Sequence, residues 1–377
     1  MTAIHLARVW RLGAKEFASL RRDPVLLFFL VYAFSYAIYV PAATTGLELR
    51  NASIAVVDED RSALSARLRD GIPDHYFRPP AALDFAEVDA AMDAGRFTFV
   101  LDVPPRFEAD VLAGRRPALQ LLVDATAMSQ AGIGSNHLRQ VLADEIAAFL
   151  RGPAPAPEPA TRSVVRVAFN PNVHQSWYLG VVQLINNVTM LAIVITGAAL
   201  LREREHGTLE HLLVMPLTPL EIALAKVWAN GLVIVVAAAL SLGLVVHGAL
   251  GVPIRGSVPL FLLGTAVYLF SSTAIGIFLA TTVRSMPQFG LLLVPVIIPM
   301  LVLSGGMTPP EAMPEPLQWA MRASPSTHFV AFATAVLYRG AGLDQVWPSF
   351  AAIAGIGAVF FAAALWRFRA SVATAAG

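Results

Sequence analysis

The chain has 377 residues and a formal net charge of +1 at pH 7, with 56% hydrophobic and only 14% charged residues. Soluble domains carry about 25% charged residues, so this deficit indicates a membrane protein. The balanced charge gives no case for nucleic-acid binding, and the absence of cysteine excludes a disulfide framework and a thiolate metal site.

The first segment, residues 1–23, predicts an amphipathic helix on the cytoplasmic leaflet. At about 100° per residue, apolar and basic side chains fall on opposite faces, as is typical of helices that lie in a membrane surface. The apolar face carries Leu6, Trp10, Gly13, Phe17 and Leu20, and the basic face carries Arg8, Arg11, Lys15 and Arg22. An ordinary basic anchor is the alternative. The long basic region does not fit a cleavable signal peptide.

Six apolar runs predict transmembrane helices, since a bilayer core needs about 20 apolar residues per helix. These runs cover residues 24–45, 177–201, 222–246, 258–283, 288–303 and 348–366. Lys226 is the one charged residue within a run. Because it lies near the start of the third run, we expect its side chain to extend to the membrane interface.

Positive charges outside residues 46–176 are distributed unevenly between the two sides of the membrane that the six spans would define. Eleven lysines and arginines lie on one side and three on the other. Because Lys and Arg concentrate in short cytoplasmic loops, we expect both termini, the tail 367–377 and the segment 202–221 in the cytoplasm.

Residues 46–176 contain 30 of the 53 charged residues, which indicates a water-soluble domain inserted into a membrane protein. Strand-like runs at 53–57, 97–103, 118–123 and 164–169 are separated by helix-like runs at 62–69, 85–94, 105–113 and 128–150. The sequence therefore predicts a mixed α/β domain, and the charge asymmetry of the loops places it outside the cytoplasm.

The segment 202–221 joins a dense block of charge to a short apolar stretch. Glu203, Glu205 and Glu210 are expected to face water, while leucines beyond Gly207 contact the membrane side, and Pro216 ends the segment. This pattern predicts a short helix that lies across the cytoplasmic end of the transmembrane helices. It would be attached to two of these helices and suited to bind another protein.

Four polar residues lie inside the second run, namely Gln183, Asn186, Asn187 and Thr189. Such groups either line a path for a polar substrate or form hydrogen bonds between helices. The helix-interface interpretation is favoured, and the pathway stays open as the alternative.

Neither an ATPase site nor a metal site is predicted. The two lysines, Lys15 and Lys226, are not preceded by the glycine pattern of a phosphate-binding loop. His206 and His211 are five positions apart and so do not share a helix face. No nucleophile, base and orienting group can be proposed together, so we expect a protein that is not an enzyme.

The stretch "REREHGTLEHLLVMPLTPLEIALAK" (202–226) resembles the cytoplasmic loop of ABC-2 type permeases, the membrane subunits of a class of ATP-binding cassette exporters. The connection between the last two runs, "SGGMTPPEAMPEPLQWAMRASPSTHFVAFATAVLYRG", is also similar to that family. "MDAGRFTFVLDVPP" and "VDATAMSQA" resemble a subgroup with a large extracytoplasmic domain. The resemblance covers nearly the whole chain.

The resemblance implies an α-helical membrane protein of the bacterial inner membrane, with six transmembrane helices and short re-entrant helices in residues 304–347. It also implies a function in efflux, with a second copy or a sister permease, two copies of a separate ATPase that binds ATP and magnesium, and a periplasmic adaptor of the membrane-fusion type. Contact with the ATPase would involve Arg202, Glu203, Arg204, Glu205, His206, Gly207, Thr208, Leu209 and Glu210. Two alternatives remain: a subunit that transmits force without moving substrate, and a secondary transporter.

Overall fold

The computed structural model describes residues 5–44, 51–126, 128–152, 169–170, 174–205 and 218–375, with the backbone alone at 128–130 and 368–375. The chain divides into two compact units. One consists of residues 1–45 and 167–377, and the other of residues 46–166.

The secondary structure comprises fourteen helices and four strands within the described ranges. In chain order these elements are α1 (Leu6–Arg22), α2 (Pro24–Phe34), α3 (Tyr36–Thr44), β1 (Ile54–Asp58), α4 (Ala63–Asp70), β2 (Ala81–Ala82), α5 (Val88–Asp93), β3 (Phe99–Val103), α6 (Phe107–Leu112), β4 (Gln120–Val123), α7 (Met128–Arg151), α8 (Gln175–Glu205), α9 (Pro219–Ser241), α10 (Val258–Thr282), α11 (Met286–Val302), α12 (Glu315–Arg322), α13 (Pro325–Arg339) and α14 (Leu343–Ala375). A π-helical stretch, Leu242–Ala249, continues α9.

Five helical segments of the described chain are long and apolar enough to cross a membrane, and they match five of the six predicted runs. They are Pro24–Thr44, Gln175–Glu205, Pro219–Ala249, Val258–Thr282 and Leu343–Arg367. The remaining run corresponds to α11, which has only 17 residues and contains Pro295 and Pro299. The molecule is therefore a helical membrane protein in which one predicted span is shorter than the other five.

The first span is interrupted where α2 gives way to α3. Ser35 leaves helical geometry with φ −124° and ψ −81°, and its Oγ donates a hydrogen bond to the Val31 carbonyl at 2.5 Å. A hydroxyl that bonds to the preceding turn competes with the backbone ladder and bends helices. Pro41, inside α3, removes a further backbone donor.

Helices α8 and α10 lie at the centre of the helical unit. The side chains of Leu184, Val188 and Leu191 on α8 are completely buried. At Gly276 of α10 the two backbones approach so closely that an added Cβ would lie 2.5 Å from the carbonyl oxygen of Ile193. Small residues at helix crossings allow this approach in membranes, so Gly276 fixes the distance between the central helices.

The second unit contains a four-stranded sheet in the order β2-β1-β3-β4. Strand β1 is parallel to β2 and β3, and β4 is antiparallel to β3. The sequence predicted β1, β3 and β4 but missed the two-residue β2, and the predicted strand 164–169 falls almost wholly outside the described residues. The mixed α/β prediction for this domain agrees with the sheet.

Both faces of the sheet are covered, because alternate residues of each strand point to opposite sides. On one face Ile54 and Phe99 pack with Leu64 of α4 and Leu138 of α7. On the other, Val57 and Val100 pack with Val88 and Ala91 of α5. The domain thus has a hydrophobic core of its own.

Two short helices lie between the last two apolar helices, within the predicted re-entrant segment 304–347. Helix α12 is exposed along most of its length, and the Arg322 guanidinium lies 4.3 Å from the Trp319 ring centre. Helix α13 is more deeply buried, with Phe329 and Val336 completely enclosed. Short helices are therefore present, and their return towards the membrane stays a prediction.

Candidate functional site

The site proposed from the sequence begins in the last turn of α8, where Arg202, Glu203, Arg204 and Glu205 are described. The remaining predicted contact residues, His206, Gly207, Thr208, Leu209 and Glu210, lie outside the described residues. What the structure does show is how the two ends of the segment 202–221 are held, at the end of α8 and at the start of α9.

A buried ionic cluster joins α8, α9 and α1. The Lys226 side chain is only 2% exposed, and its Nζ lies 2.7 Å from Glu203 Oε1 and 3.3 Å from Glu16 Oε1. The expectation that Lys226 extends to the membrane interface is wrong, and so is the expectation that Glu203 faces water. An isolated buried charge is very costly, whereas pairing with two carboxylates offsets most of that cost. We call Lys226, Glu203 and Glu16 the ionic cluster.

The first turn of α9 is fixed by a reciprocal cap. Thr218 Oγ1 accepts a hydrogen bond from the Glu221 N–H at 3.2 Å, and Glu221 Oε2 accepts one from the Thr218 N–H at 2.8 Å. This arrangement satisfies backbone donors that have no partner within the helix. The other carboxylate oxygen of Glu221 accepts the backbone N–H of His5 at 3.0 Å, so the same residue attaches the start of α1 to the start of α9.

Helix α1 packs along α9 through Trp10 and Gly13, which both contact Trp228. The rings of Trp10 and Trp228 stack with centres 4.7 Å apart, and Trp228 Nε1 donates to the Val9 carbonyl at 3.2 Å. A Cβ at Gly13 would lie 2.2 Å from the Trp228 ring, so only glycine fits there. A helix is present as predicted, and its position on the cytoplasmic leaflet stays a prediction. Gly13 faces α9, while Leu6 and Trp10 remain 80% and 65% exposed.

The end of α8 is also attached to the turn between α10 and α11. Arg204 Nη1 donates to the Val283 carbonyl at 3.2 Å, and Glu205 Oε1 accepts the Met286 N–H at 2.8 Å. Since a carboxylate at a helix N-terminus satisfies an unpaired donor and favours the helix dipole, Glu205 stabilises the start of α11. Arg202 Nη1 lies 3.9 Å from Asp23 Oδ2, before α2.

Two of the four polar residues of the second span form hydrogen bonds with neighbouring helices. Asn187 Nδ2 donates to the Ala33 carbonyl at 2.5 Å, and Thr189 Oγ1 lies 2.7 Å from the Tyr268 hydroxyl. Asn186 Nδ2 donates to Gln183 Oε1 at 3.3 Å, within α8. These contacts favour the helix-interface interpretation, and a substrate path along them stays a prediction.

Sequence reasoning missed Glu16, Glu221 and Trp228 as members of this site. Lys226 carried a signal, because it is one of two lysines and the one charge inside an apolar run. Its partners lie 23 and 210 positions away in the chain, a pairing that helix periodicity does not specify. Among the residues the structure describes, no group of three or more His, Asp or Glu side chains is placed to hold a metal.

Comparison with known proteins gives matches along almost the full length. A family model described as "ABC-2 family transporter protein" matches residues 24–366. The chain is 49% identical over 372 residues to the inner membrane transport permease YhhJ of Escherichia coli (strain K12), covering 99% of this chain and all of the relative. It is 30% identical over 374 residues to the probable multidrug ABC transporter permease YbhR of the same organism, covering 97% and 99%.

Proposed function

The chain belongs to the ABC-2 transporter family, and on this basis we propose that it couples ATP hydrolysis by a separate ATPase to efflux across the inner membrane. Its role as a multi-pass membrane transporter subunit follows from that membership. The ATP-driven coupling and the direction of transport are the proposal.

The observation that supports coupling most directly is the attachment of both ends of the segment 202–221. The ionic cluster connects the last turn of α8 to α9 and α1, and Glu205 connects it to the start of α11. A force applied to this segment would therefore act on several helices at once. A flexible connecting loop would dissipate such a movement before it reached the spans.

The proposed topology has six spans, with α11 as the fifth and both termini in the cytoplasm. The excess of Lys and Arg at one end of the apolar helices supports this orientation. It places residues 46–176 and the segment 304–347 outside the cytoplasm. There the sheet domain offers a surface to a periplasmic adaptor of the membrane-fusion type.

The proposed assembly contains two copies of this chain, or this chain and a sister permease, over two copies of the ATPase. The chain itself binds no cofactor in this scheme, and ATP with magnesium belongs to the ATPase. In this scheme the sequence 202–210 supplies the contact residues, among them Gly207, Thr208 and Glu210.

Transport in inverted membrane vesicles tests this function. With the ATPase co-expressed, we expect ATP to drive uptake of exported dyes, and we expect vanadate but not a proton ionophore to stop it. Uptake driven by a proton gradient without ATP would instead identify a secondary transporter. Stimulated ATP hydrolysis without movement of any dye in a broad panel would favour the force-transmitting alternative.

A further inference from the structure

A long apolar groove runs between α1, α2 and α9, and none of the residues of the ionic cluster line it. It encloses about 470 Å³, within the range of about 300–1,000 Å³ that is usual for ligand pockets. Its wall on α9 and on the π-helical stretch that continues α9 extends from Leu232 to Val245, which corresponds to about 20 Å along a helix. An acyl chain in one leaflet spans about 15 Å, half of the hydrocarbon core, so the groove has the length of a lipid chain.

The wall of the groove suits hydrocarbon. On α9 the residues Leu232, Val236, Leu240 and Leu244 recur every fourth position and are between 46% and 70% exposed. Residues spaced four apart lie on one helix face. Leu27 and Val31 of α2 supply the opposite side. Both α2 and α9 belong to segments long and apolar enough to cross the membrane, so acyl chains of the bilayer can reach the exposed stripe.

The lining of the groove includes one charged residue. Arg21, in the last turn of α1, lines the groove together with Phe17 and Leu20. The neighbouring Asp23 is directed elsewhere, because its Oδ1 accepts the N–H groups of Val25 and Leu26 at 3.1 and 3.0 Å. A guanidinium beside an apolar channel matches the phosphate of a lipid whose chain enters that channel.

We propose that this groove binds an anionic phospholipid of the surrounding bilayer, with one acyl chain along α9 and the headgroup phosphate on Arg21. The site is distinct from the segment 202–221 and does not depend on the proposed coupling to an ATPase. The bound lipid fills the space between α1, α2 and α9, and thereby holds the amphipathic helix against the span whose first turn carries Glu221.

Native mass spectrometry of the full-length chain in detergent, with added phosphatidylglycerol or phosphatidylcholine of identical acyl chains, tests the proposal. We expect the first phosphatidylglycerol to bind about tenfold more tightly than phosphatidylcholine, because both lipids carry the phosphate but the choline cation of phosphatidylcholine is repelled by Arg21 and offsets part of the attraction. Arg21→Gln should abolish that preference. Arg22→Gln is the matched control, because Arg22 is adjacent and exposed but does not line the groove, and it should keep the preference.

A second pair of variants tests the acyl channel. Val236→Trp should fill the groove and reduce the retention of both lipids about tenfold, whereas Leu263→Trp, at an exposed position of α10 outside the groove, should leave it unchanged. All variants should keep the melting temperature of the wild type. Equal affinity for the two lipids, or equal effects of Arg21→Gln and Arg22→Gln, would overturn the proposal. So would a Val236→Trp variant that loses a wild-type dimer while retaining lipid, which would identify the groove as a protein interface.

Discussion

At the scale of single residues, the ionic cluster makes the stability of the helical unit depend on buried charge pairing. It places one ammonium, almost completely buried, between two carboxylates. The pairing compensates for desolvation, but it makes each member dependent on the others. Removing one partner of a buried ion pair costs about 3–5 kcal/mol, because an uncompensated charge is left behind.

The substitution Lys226→Met should therefore lower the free energy of unfolding by about 3–5 kcal/mol. The chain provides a matched control in its other lysine, the exposed Lys15, and Lys15→Met should change stability by no more than about 0.5 kcal/mol. Thermal unfolding of both variants in the same detergent measures the difference. If the two variants unfolded at the same temperature, the cluster would not contribute to stability.

Glu203→Gln tests the same cluster by removing one of its carboxylates instead of the ammonium. Because Glu203 and Lys226 share a contact, the double variant Glu203→Gln with Lys226→Met should lose less stability than the two single variants added together. We expect a coupling of about 0.5–3 kcal/mol from the same unfolding measurements. Strict additivity would show that the contact between these two residues contributes nothing.

In the sheet domain, Asp102 is buried in the central strand β3. Burial is the main cause that raises the pKa of its carboxyl, and the negative charge of Glu59 raises that pKa further. The raised pKa means that the folded state favours the protonated carboxyl of Asp102. The resulting contribution to stability is fully present below the ordinary pKa and is lost as the pH rises through the pKa of the folded state. Asp102→Asn should therefore increase the protection of β3 amides from hydrogen exchange at pH 7, with a smaller gain at pH 4. A gain that was larger at pH 4 would contradict the assigned direction.

At the scale of elements, apolar periodicity located the helices well but not their contacts. Five of the six apolar runs predicted the five long helices, and strand-like runs predicted β1, β3 and β4. The break at Ser35 depends on one hydroxyl bonding to Val31, and β2 has two residues, so neither produces a periodic signal. The contacts of α1 with α9 depend on Gly13 and Trp228, which lie far apart in the chain.

The crossing of α8 and α10 gives a prediction at this scale. Gly276→Ala should destabilise the protein by about 1–3 kcal/mol, because the new Cβ would lie 2.5 Å from the Ile193 carbonyl oxygen and the helices would have to separate. Gly290→Ala in α11 is the control, since its Cβ would meet no atom within 4 Å. The melting temperature of Gly290→Ala should be equal to or higher than that of the wild type. A stable Gly276→Ala variant would contradict the close packing.

At the scale of the whole molecule, the chain combines a helical membrane unit with a sheet domain that has its own core. The charge distribution of the sequence sufficed to predict this division, because 30 of 53 charged residues lie in 46–176. The structure places the boundaries of the second unit at Gly46 and Arg166. What the sequence could not predict is the ionic cluster, since its members belong to three different helices.

Residues 46–166, expressed alone, should fold as a soluble α/β domain. The sheet packs its two faces against α4 with α7 and against α5, so its core needs no residue of the membrane unit. Circular dichroism should show mixed helix and strand with a cooperative thermal transition. An insoluble product, or a spectrum of unfolded chain, would count against an independent domain.

Single cysteines test the orientation without background, because the chain contains none. Placed at Ser62 and Ala312, they should react with a membrane-impermeant thiol reagent applied from the periplasm, whereas cysteines at Thr208 and Ala370 should not. Reaction at Ala370→Cys from outside would be incompatible with six spans and cytoplasmic termini.

The most direct test of the proposed coupling is recovery of the ATPase with the permease. Glu203→Lys would not test binding alone, because it would place a second cation beside Lys226. The substitution is therefore made at Glu210, which follows the end of α8 in the sequence. Glu210→Lys should reduce the ATPase recovered in a pull-down by tenfold or more, since losing a charge-assisted pair in an interface costs about 2–5 kcal/mol. Glu311→Lys, the same change at an exposed residue after α11, should recover the wild-type amount. Equal recovery by Glu210→Lys and wild type at matched expression would contradict binding of the ATPase through this segment.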